Sequence, residues 1–292
     1  MKLVPPWVVA ADAVGVVDQV GSGVNGVREG DTVVLNPGIS DRTCAYCRDG
    51  EQSLCLRFGI LGEHVPGTAT EYVVVPGPNV RPIPPNTPVD QAAGFGLVTL
   101  TAWRMLVTRA QLRAGERVLI WGIGGGVATA ALQICKLMGA EVWATSSSDA
   151  KLEKARVLGA DHTVNHRTQD VAGEIRTATG KAGVDVVVDN VGVATWKHSI
   201  DALGKRGRLV TCGGTSGPMV ETDVRRLFWN QYSILGSTMG NDAEFAAVVE
   251  QLCEGRLLPP VDRVYALADG RAAYARLQAG EQFGKVVVRV NE

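Results

Sequence analysis

Apolar residues in the first third of the chain come in short, β-branched runs, "VGVVDQV", "DTVVLNP" and "TEYVVVP", each bounded by glycine, proline or asparagine. Such runs predict strands, so Val14 to about Pro76 reads as a small all-β unit. From Asp90 the period lengthens, and "VDQAAGFGLVTLTAWRMLVTRA" repeats its apolar positions at helical spacing. The next stretch, "AGERVLIWGIGGGVATAALQICKLMGAEVWATSSSDAKLEKARVLGAD", reads as strand, glycine turn, helix, strand, helix. "VDVVVDNVG" follows as strand and turn, "WKHSIDALGKRG" as helix, and "RLVTCGG" and "QYSILGSTMG" as further strands. Continuously apolar strands alternating with helices predict a parallel sheet covered on both faces, with right-handed crossovers. The expected class is α/β: a β-domain over residues 1–92, a doubly wound nucleotide-binding domain over 93–240, and a segment 241–292 that returns to the first domain through "FGKVVVRV".

Composition narrows the ligand. Lys plus Arg number 29 against 30 Asp plus Glu, with no basic block, which argues against nucleic acid or an anionic membrane as the main ligand and leaves a small molecule. No run approaches the length of a membrane span, and prolines and an aspartate interrupt the N-terminal stretch where a signal peptide keeps an apolar core; a cytoplasmic protein is expected. Of six cysteines, Cys44, Cys47 and Cys55 are bunched, while the others stand alone; reduced thiols and a metal fit this better than a disulfide framework.

The glycine turn carries the clearest chemistry. Gly122, Gly124, Gly125 and Gly126 lie between a buried strand and an amphipathic helix, where backbone N–H groups can approach a pyrophosphate at the helix N-terminus. Val127 stands where the strict pattern has its third glycine, whereas Gly122-x-x-Gly125-x-x-Ala128 fits a relaxed form. Glycine clusters also make ordinary tight turns; the strand-turn-helix-strand setting is what favours dinucleotide binding. At the end of the second strand Ser146, flanked by Thr145 and Ser147, replaces the acid that receives a ribose 2′-hydroxyl, and Lys151 lies one turn into the next helix. Hydroxyls beside a cation suit a 2′-phosphate, so NADP(H) is expected over NAD(H), unless Lys151 merely solvates the helix start. Asn190 and Gly192, with Gly213 and Gly214 one unit later, end parallel strands where ligands bind, although turn formation alone also explains the glycines.

Taken together, "VGSGVNGVREGDTVVLNPG", the cysteine stretch, "TEYVVVP", "QAAGFGLVTLTAWRML", the glycine turn, "LGADHTVNH", "GVDVVVDNVG" and "FGKVVVRV" resemble the medium-chain dehydrogenase/reductase superfamily. Within it the chain is most similar to zinc-type alcohol dehydrogenases and quinone-oxidoreductase-like reductases. The resemblance implies a GroES-like β-domain, a Rossmann domain, and nicotinamide-dependent hydride transfer to or from a small carbonyl, alcohol, enone or quinone. It also implies a homodimer or homotetramer. Two departures stand out. Ala10, Ala11 and Asp12 replace the family's metal-binding Gly-His-Glu, so no catalytic zinc is expected. Family members also carry about fifty further residues before this point, so the β-domain is expected to be N-terminally incomplete. No residue stands out as the proton donor. A non-catalytic nucleotide-binding remnant is the alternative.

In "DRTCAYCRDGEQSLC" the register Asp41-x2-Cys44-x2-Cys47-x7-Cys55 is similar to the family's four-cysteine lobe, with the aspartate on the first ligand position. A carboxylate can ligate zinc, so one structural zinc on Asp41, Cys44, Cys47 and Cys55 is expected; the alternative is a lobe held by its turns alone. A nucleic-acid-binding ribbon lacks a basic stripe, and the third thiol argues against a simple dithiol couple. His64 reads as a loop residue, His162 and His166 as structural or near the cofactor edge, and Cys135 and Cys212 as small buried hydrophobes.

Overall fold

The computed structural model describes residues 5–290. The chain divides into two compact units, Met1–Leu100 with Met239–Glu292, and Thr101–Thr238. In the first unit β1 (Val14–Val16), β2 (Thr32–Leu35) and β5 (Val80–Pro82) form an antiparallel sheet with β2 in the centre, while β3 (Gly38–Ile39) and β4 (Gly59–Ile60) pair beside it. The central strand buries Val33, Val34 and Leu35, as a strand with neighbours on both sides should.

The run "TEYVVVP" is not a strand, contrary to its pattern. It pairs with none of the described strands, and Tyr72, Val73 and Val74 are exposed, Val74 almost completely. An apolar, β-branched run stays a strand only where a neighbour accepts its N–H groups and covers its side chains. The long helix expected from residue 89 is also broken, into Val89–Ala93 and Gly96–Trp103, with a wide turn Arg104–Arg109 after it. Close packing explains the break: a Cβ on Gly96 would strike the Leu35 carbonyl oxygen, and one on Gly94 would lie 2.9 Å from the Lys285 side chain. The wide turn is marked by Ala110 N–H donating to the Met105 carbonyl at 2.9 Å, one residue beyond α-helical spacing.

The second unit is a six-stranded parallel sheet of β6 (Arg117–Ile120), β7 (Glu141–Ser146), β8 (His162–Asn165), β9 (Val184–Val188), β10 (Leu203–Thr211) and β11 (Ser233–Gly236). The order is β8-β7-β6-β9-β10-β11, so the winding reverses between β6 and β9, which is the doubly wound arrangement with its ligand crevice at the switch. Apolar runs became central strands because helices such as Gly126–Leu137 and Val171–Ala178 cover the sheet; Leu119, Ile120, Val142, Val186 and Val187 are fully buried. The chain then returns to the first unit, where β12 (Val261–Ala266) and β13 (Lys285–Arg289) pair in parallel. No helix of the described residues is long and apolar enough to cross a membrane.

Candidate functional site

Three loops leave the sheet at its switch point. After β6 the Trp121 N–H still donates to the Val188 carbonyl at 3.2 Å, and then Gly122 turns the chain with φ +67°, a conformation that excludes most side chains. The turn is held to β7: Gly122 N–H donates to Thr145 Oγ1 at 3.3 Å and Ile123 N–H to the Thr145 carbonyl at 2.8 Å. Gly125, in extended conformation, caps the helix Gly126–Leu137, whose first intrahelical bond runs from Thr129 N–H to the Gly125 carbonyl at 3.0 Å. The N–H groups of Gly126, Val127 and Ala128 therefore have no carbonyl within the helix and mark its electropositive end. Gly124 is buried inside the turn.

The loop after β9 is organised by a residue the sequence did not single out. Asp189 is fully buried and accepts from Val191 N–H at 2.9 Å, Gly192 N–H at 3.1 Å, Thr195 Oγ1 at 2.8 Å and Ser199 Oγ at 2.6 Å. A buried carboxylate needs such a set of donors, and in return it fixes the loop that carries Asn190 and Gly192. That loop is zipped to the one after β10: Thr215 N–H and Ser216 N–H donate to the Asn190 and Val191 carbonyls at 3.3 and 2.8 Å, and Val193 N–H to the Gly217 carbonyl at 3.2 Å. Gly192 has φ +88°, and a Cβ there would strike the Gly217 carbonyl oxygen, so glycine is required twice over. Gly213 is exposed on the second loop, and burial pushes the neighbouring Cys212 thiol up to about 11. The only sequence sign of Asp189 was its place before "NVG" at a strand end.

Ser146 closes β7, nearly buried, with its Oγ accepting from Ser148 N–H at 3.1 Å. Lys151 is half-buried in the helix Asp149–Val157. The turn brings Gly122, Gly124, Gly125, Gly126 and Val127 together with the ends of β7, β9 and β10 on one edge of one sheet.

In the first unit the cysteine lobe lies between β3 and β4. Among the described residues Asp41, Cys44, Cys47 and Cys55 form a potential metal-ligand group, their ligand atoms all within 4.8 Å of one another. Asp41 Oδ1 accepts from Thr43 N–H at 2.8 Å and Cys44 N–H at 3.0 Å, and these bonds hold its carboxyl well below the usual carboxylate range. Cys55 Sγ accepts from the N–H groups of Asp41 and Arg57, both at 3.3 Å, and N–H groups of Leu56 and Cys47 lower the Cys44 thiol. Burial pushes Cys47 up to about 12, reinforced by the two neighbouring thiols. N–H groups aimed at sulfur and four potential anions in one small volume form a donor set that suits a zinc dication. His64 is occupied elsewhere, its Nδ1 accepting from Ile60 N–H at 3.2 Å.

The segment around Ala10 is different. Ala10 and Ala11 offer no side-chain donor to a metal, and Asp12 Oδ1 accepts from Leu97 N–H at 2.5 Å while Oδ2 pairs with Lys285 Nζ at 2.9 Å. The aspartate is thus engaged with the start of the helix Gly96–Trp103 and with β13.

A doubly wound sheet with a glycine turn at its switch point, in a chain that also carries a β-unit with a cysteine lobe, defines a dinucleotide-binding dehydrogenase class. Comparisons agree. The family model described as "Alcohol dehydrogenase GroES-like domain" matches residues 1–85, and "Zinc-binding dehydrogenase" matches residues 126–254. A NAD-dependent alcohol dehydrogenase of Sulfolobus acidocaldarius is 31% identical over 98% of this chain and 82% of its own length. An acryloyl-coenzyme A reductase of Metallosphaera sedula is 31% identical over 97% of this chain and 83% of its own. Among solved structures, a NAD-dependent alcohol dehydrogenase superposes with TM-score 0.94 at 43% identity, covering 99% of this chain and 84% of the other. The chain belongs to the medium-chain dehydrogenase/reductase superfamily, in its zinc-type alcohol dehydrogenase branch, and is an oxidoreductase of that type.

Proposed function

We propose that this protein transfers a hydride between NADP(H) and a small carbonyl, alcohol, enone or quinone substrate. The observation that carries the reading is the glycine turn at the switch point, with the N–H groups of Gly126, Val127 and Ala128, which have no carbonyl partner within their helix, at the helix start, which suits a pyrophosphate. The bound nicotinamide would supply or accept the hydride. Asn190, Gly192 and Gly213 would border it, on loops made rigid by Asp189 and by the ladder between residues 190–193 and 215–217. Ser146 and Lys151 in place of an acid support the 2′-phosphate form. The relatives named NAD-dependent favour NAD(H) as the second reading.

In this reading no catalytic zinc takes part, because Ala10 and Ala11 have no ligand atoms and Asp12 is engaged by Leu97 and Lys285. The same feature favours a nucleotide-binding, non-catalytic protein as the alternative. The lobe would hold one structural zinc through Asp41, Cys44, Cys47 and Cys55, closing a loop without an open coordination position. A homodimer or homotetramer is supported by the open edge of β11, where Ile234 is exposed close in sequence to the exposed Phe228 and Trp229.

Purified protein titrated with NADPH and NADH, then offered aldehydes, enones and quinones, tests the reading. Binding followed by turnover supports it, binding without turnover selects the alternative, and absence of binding by either dinucleotide rejects both. Metal analysis tests the lobe: stoichiometric zinc lost in Asp41→Ala is expected, and unchanged zinc in that variant removes Asp41 as a ligand.

A further inference from the structure

The ends of β7 and β8 carry two adjoining turns whose arrangement the glycine motif does not predict. Ser146 is paired with Asn165 across the two strands, and His166 N–H donates to the Ser146 carbonyl at 3.1 Å. Asn165 is buried and uses each of its polar groups. Its N–H donates to Gln169 Oε1 at 2.9 Å and its Nδ2 to Asp149 Oδ1 at 2.7 Å. Its Oδ1 accepts from Arg167 N–H at 3.1 Å, and its carbonyl accepts from the N–H groups of Thr168 and Gln169 at 3.0 and 2.9 Å. One side chain thus fixes the 165–169 turn against the first turn of the helix Asp149–Val157, and it draws the Asp149 carboxylate, which would repel a phosphate, onto an amide.

Arg167 rides on this turn, exposed, and among the described residues its guanidinium makes no hydrogen bond or ion pair. Its charge is felt nearby: burial first, and then Arg167, lowers the tendency of His166 to protonate. The His166 ring in turn lies 5.9 Å from that of Trp121, the residue immediately before the glycine turn. An arginine set on a rigid turn, without a protein anion, next to a strand that ends in serine is prepared for a phosphate, because its planar fork loses little freedom on binding.

We propose that Arg167 is the residue that selects the 2′-phosphate of the adenosine ribose, acting from the turn that follows β8, beside the end of β7 that carries Ser146. The proposal rests on the dinucleotide reading above and adds a determinant from the turn after the neighbouring strand to Ser146 and Lys151. The test measures affinities for NADPH, NADH, adenosine 2′,5′-bisphosphate and 5′-AMP in the wild type, Arg167→Ala and Arg167→Lys, with folding checked by circular dichroism. Arg167→Ala should weaken NADPH and the bisphosphate about 10- to 100-fold and NADH and 5′-AMP by no more than about twofold, with Arg167→Lys intermediate. An unchanged NADPH to NADH ratio in Arg167→Ala overturns the assignment while the dinucleotide reading stands. So does a wild type that binds NADH alone. A wild type that binds neither dinucleotide overturns both.

Discussion

The loops at the switch of the parallel sheet and the segment Val9–Asp12 of the β-unit solve opposite problems. At the switch, each unusual conformation falls on a residue that tolerates it: glycine at φ +67° in position 122 and at φ +88° in position 192, with a buried carboxylate, Asp189, satisfying the surrounding donors. In the β-unit, Ala10 holds φ +69°, which an alanine adopts only at a cost of about 1–2 kcal/mol. The backbone there is pinned all the same, since Thr68 N–H donates to the Ala10 carbonyl at 3.0 Å and a Cβ on either Gly62 or Gly67 would strike that carbonyl oxygen. A left-handed backbone that glycine adopts freely is thus imposed on an alanine by its neighbours. The difference teaches that the loops at the switch place glycine and a buried carboxylate where the backbone demands them, while residues 10–12 hold a demanding conformation on an alanine and direct Asp12 to Leu97 and Lys285.

Perturbing each region should break this contrast by different amounts. Asp189→Ala removes the acceptor for two N–H groups and two hydroxyls and should cost about 3–5 kcal/mol in urea unfolding, with loss of dinucleotide binding. A loss under about 1 kcal/mol would show that Asp189 does not organise the loop. Gly192→Ala should cost about 2–3 kcal/mol in urea unfolding, from strain at positive φ and the clash with the Gly217 carbonyl, and should weaken dinucleotide binding. On the other side Ala10→Gly should stabilise the protein, by about 0.5–1 kcal/mol after allowing for the added freedom of the unfolded chain. Destabilisation by that change would contradict the strain argument.

The smallest expected effect concerns pH. Burial raises the Asp161 carboxyl, but hydrogen bonds from Lys136 Nζ and Val142 N–H and the Lys136 charge outweigh it, so its folded pKa is depressed. A depressed carboxylate contributes stability above its unfolded pKa of about 3.9, and that contribution is lost as pH falls through the lower folded value. Lys136→Met should therefore flatten the acid limb of stability below about pH 4 while leaving its shape near neutrality unchanged. An acid limb as steep as the wild type's would remove the Lys136 pair from the account.

Much of the second unit was legible in the sequence, because apolar strands alternating with helices admit few arrangements other than a covered parallel sheet. The glycine turn was legible for the same reason. What escaped the pattern depends on neighbours distant in sequence. "TEYVVVP" has the composition of a strand but no described partner, and only tertiary context distinguishes the two. The helix break at Gly94–Gly96 follows from the approach of Leu35 and Lys285. Asp189 read as an ordinary strand-end residue, since nothing in its spacing announces donors from Thr195 and Ser199. Asp12 matched a motif position but serves a helix start and an ion pair, which its identity alone does not reveal.

The central claim is that the edge carrying Gly122, Gly125, Gly126 and the Asp189-pinned loop binds a nicotinamide dinucleotide. Equilibrium titration of the purified wild type, followed by nicotinamide fluorescence with NADPH and NADH in parallel, tests it most directly. Saturable one-to-one binding with NADPH tighter than NADH is the predicted result, and no saturable signal from either dinucleotide on folded protein would contradict the account.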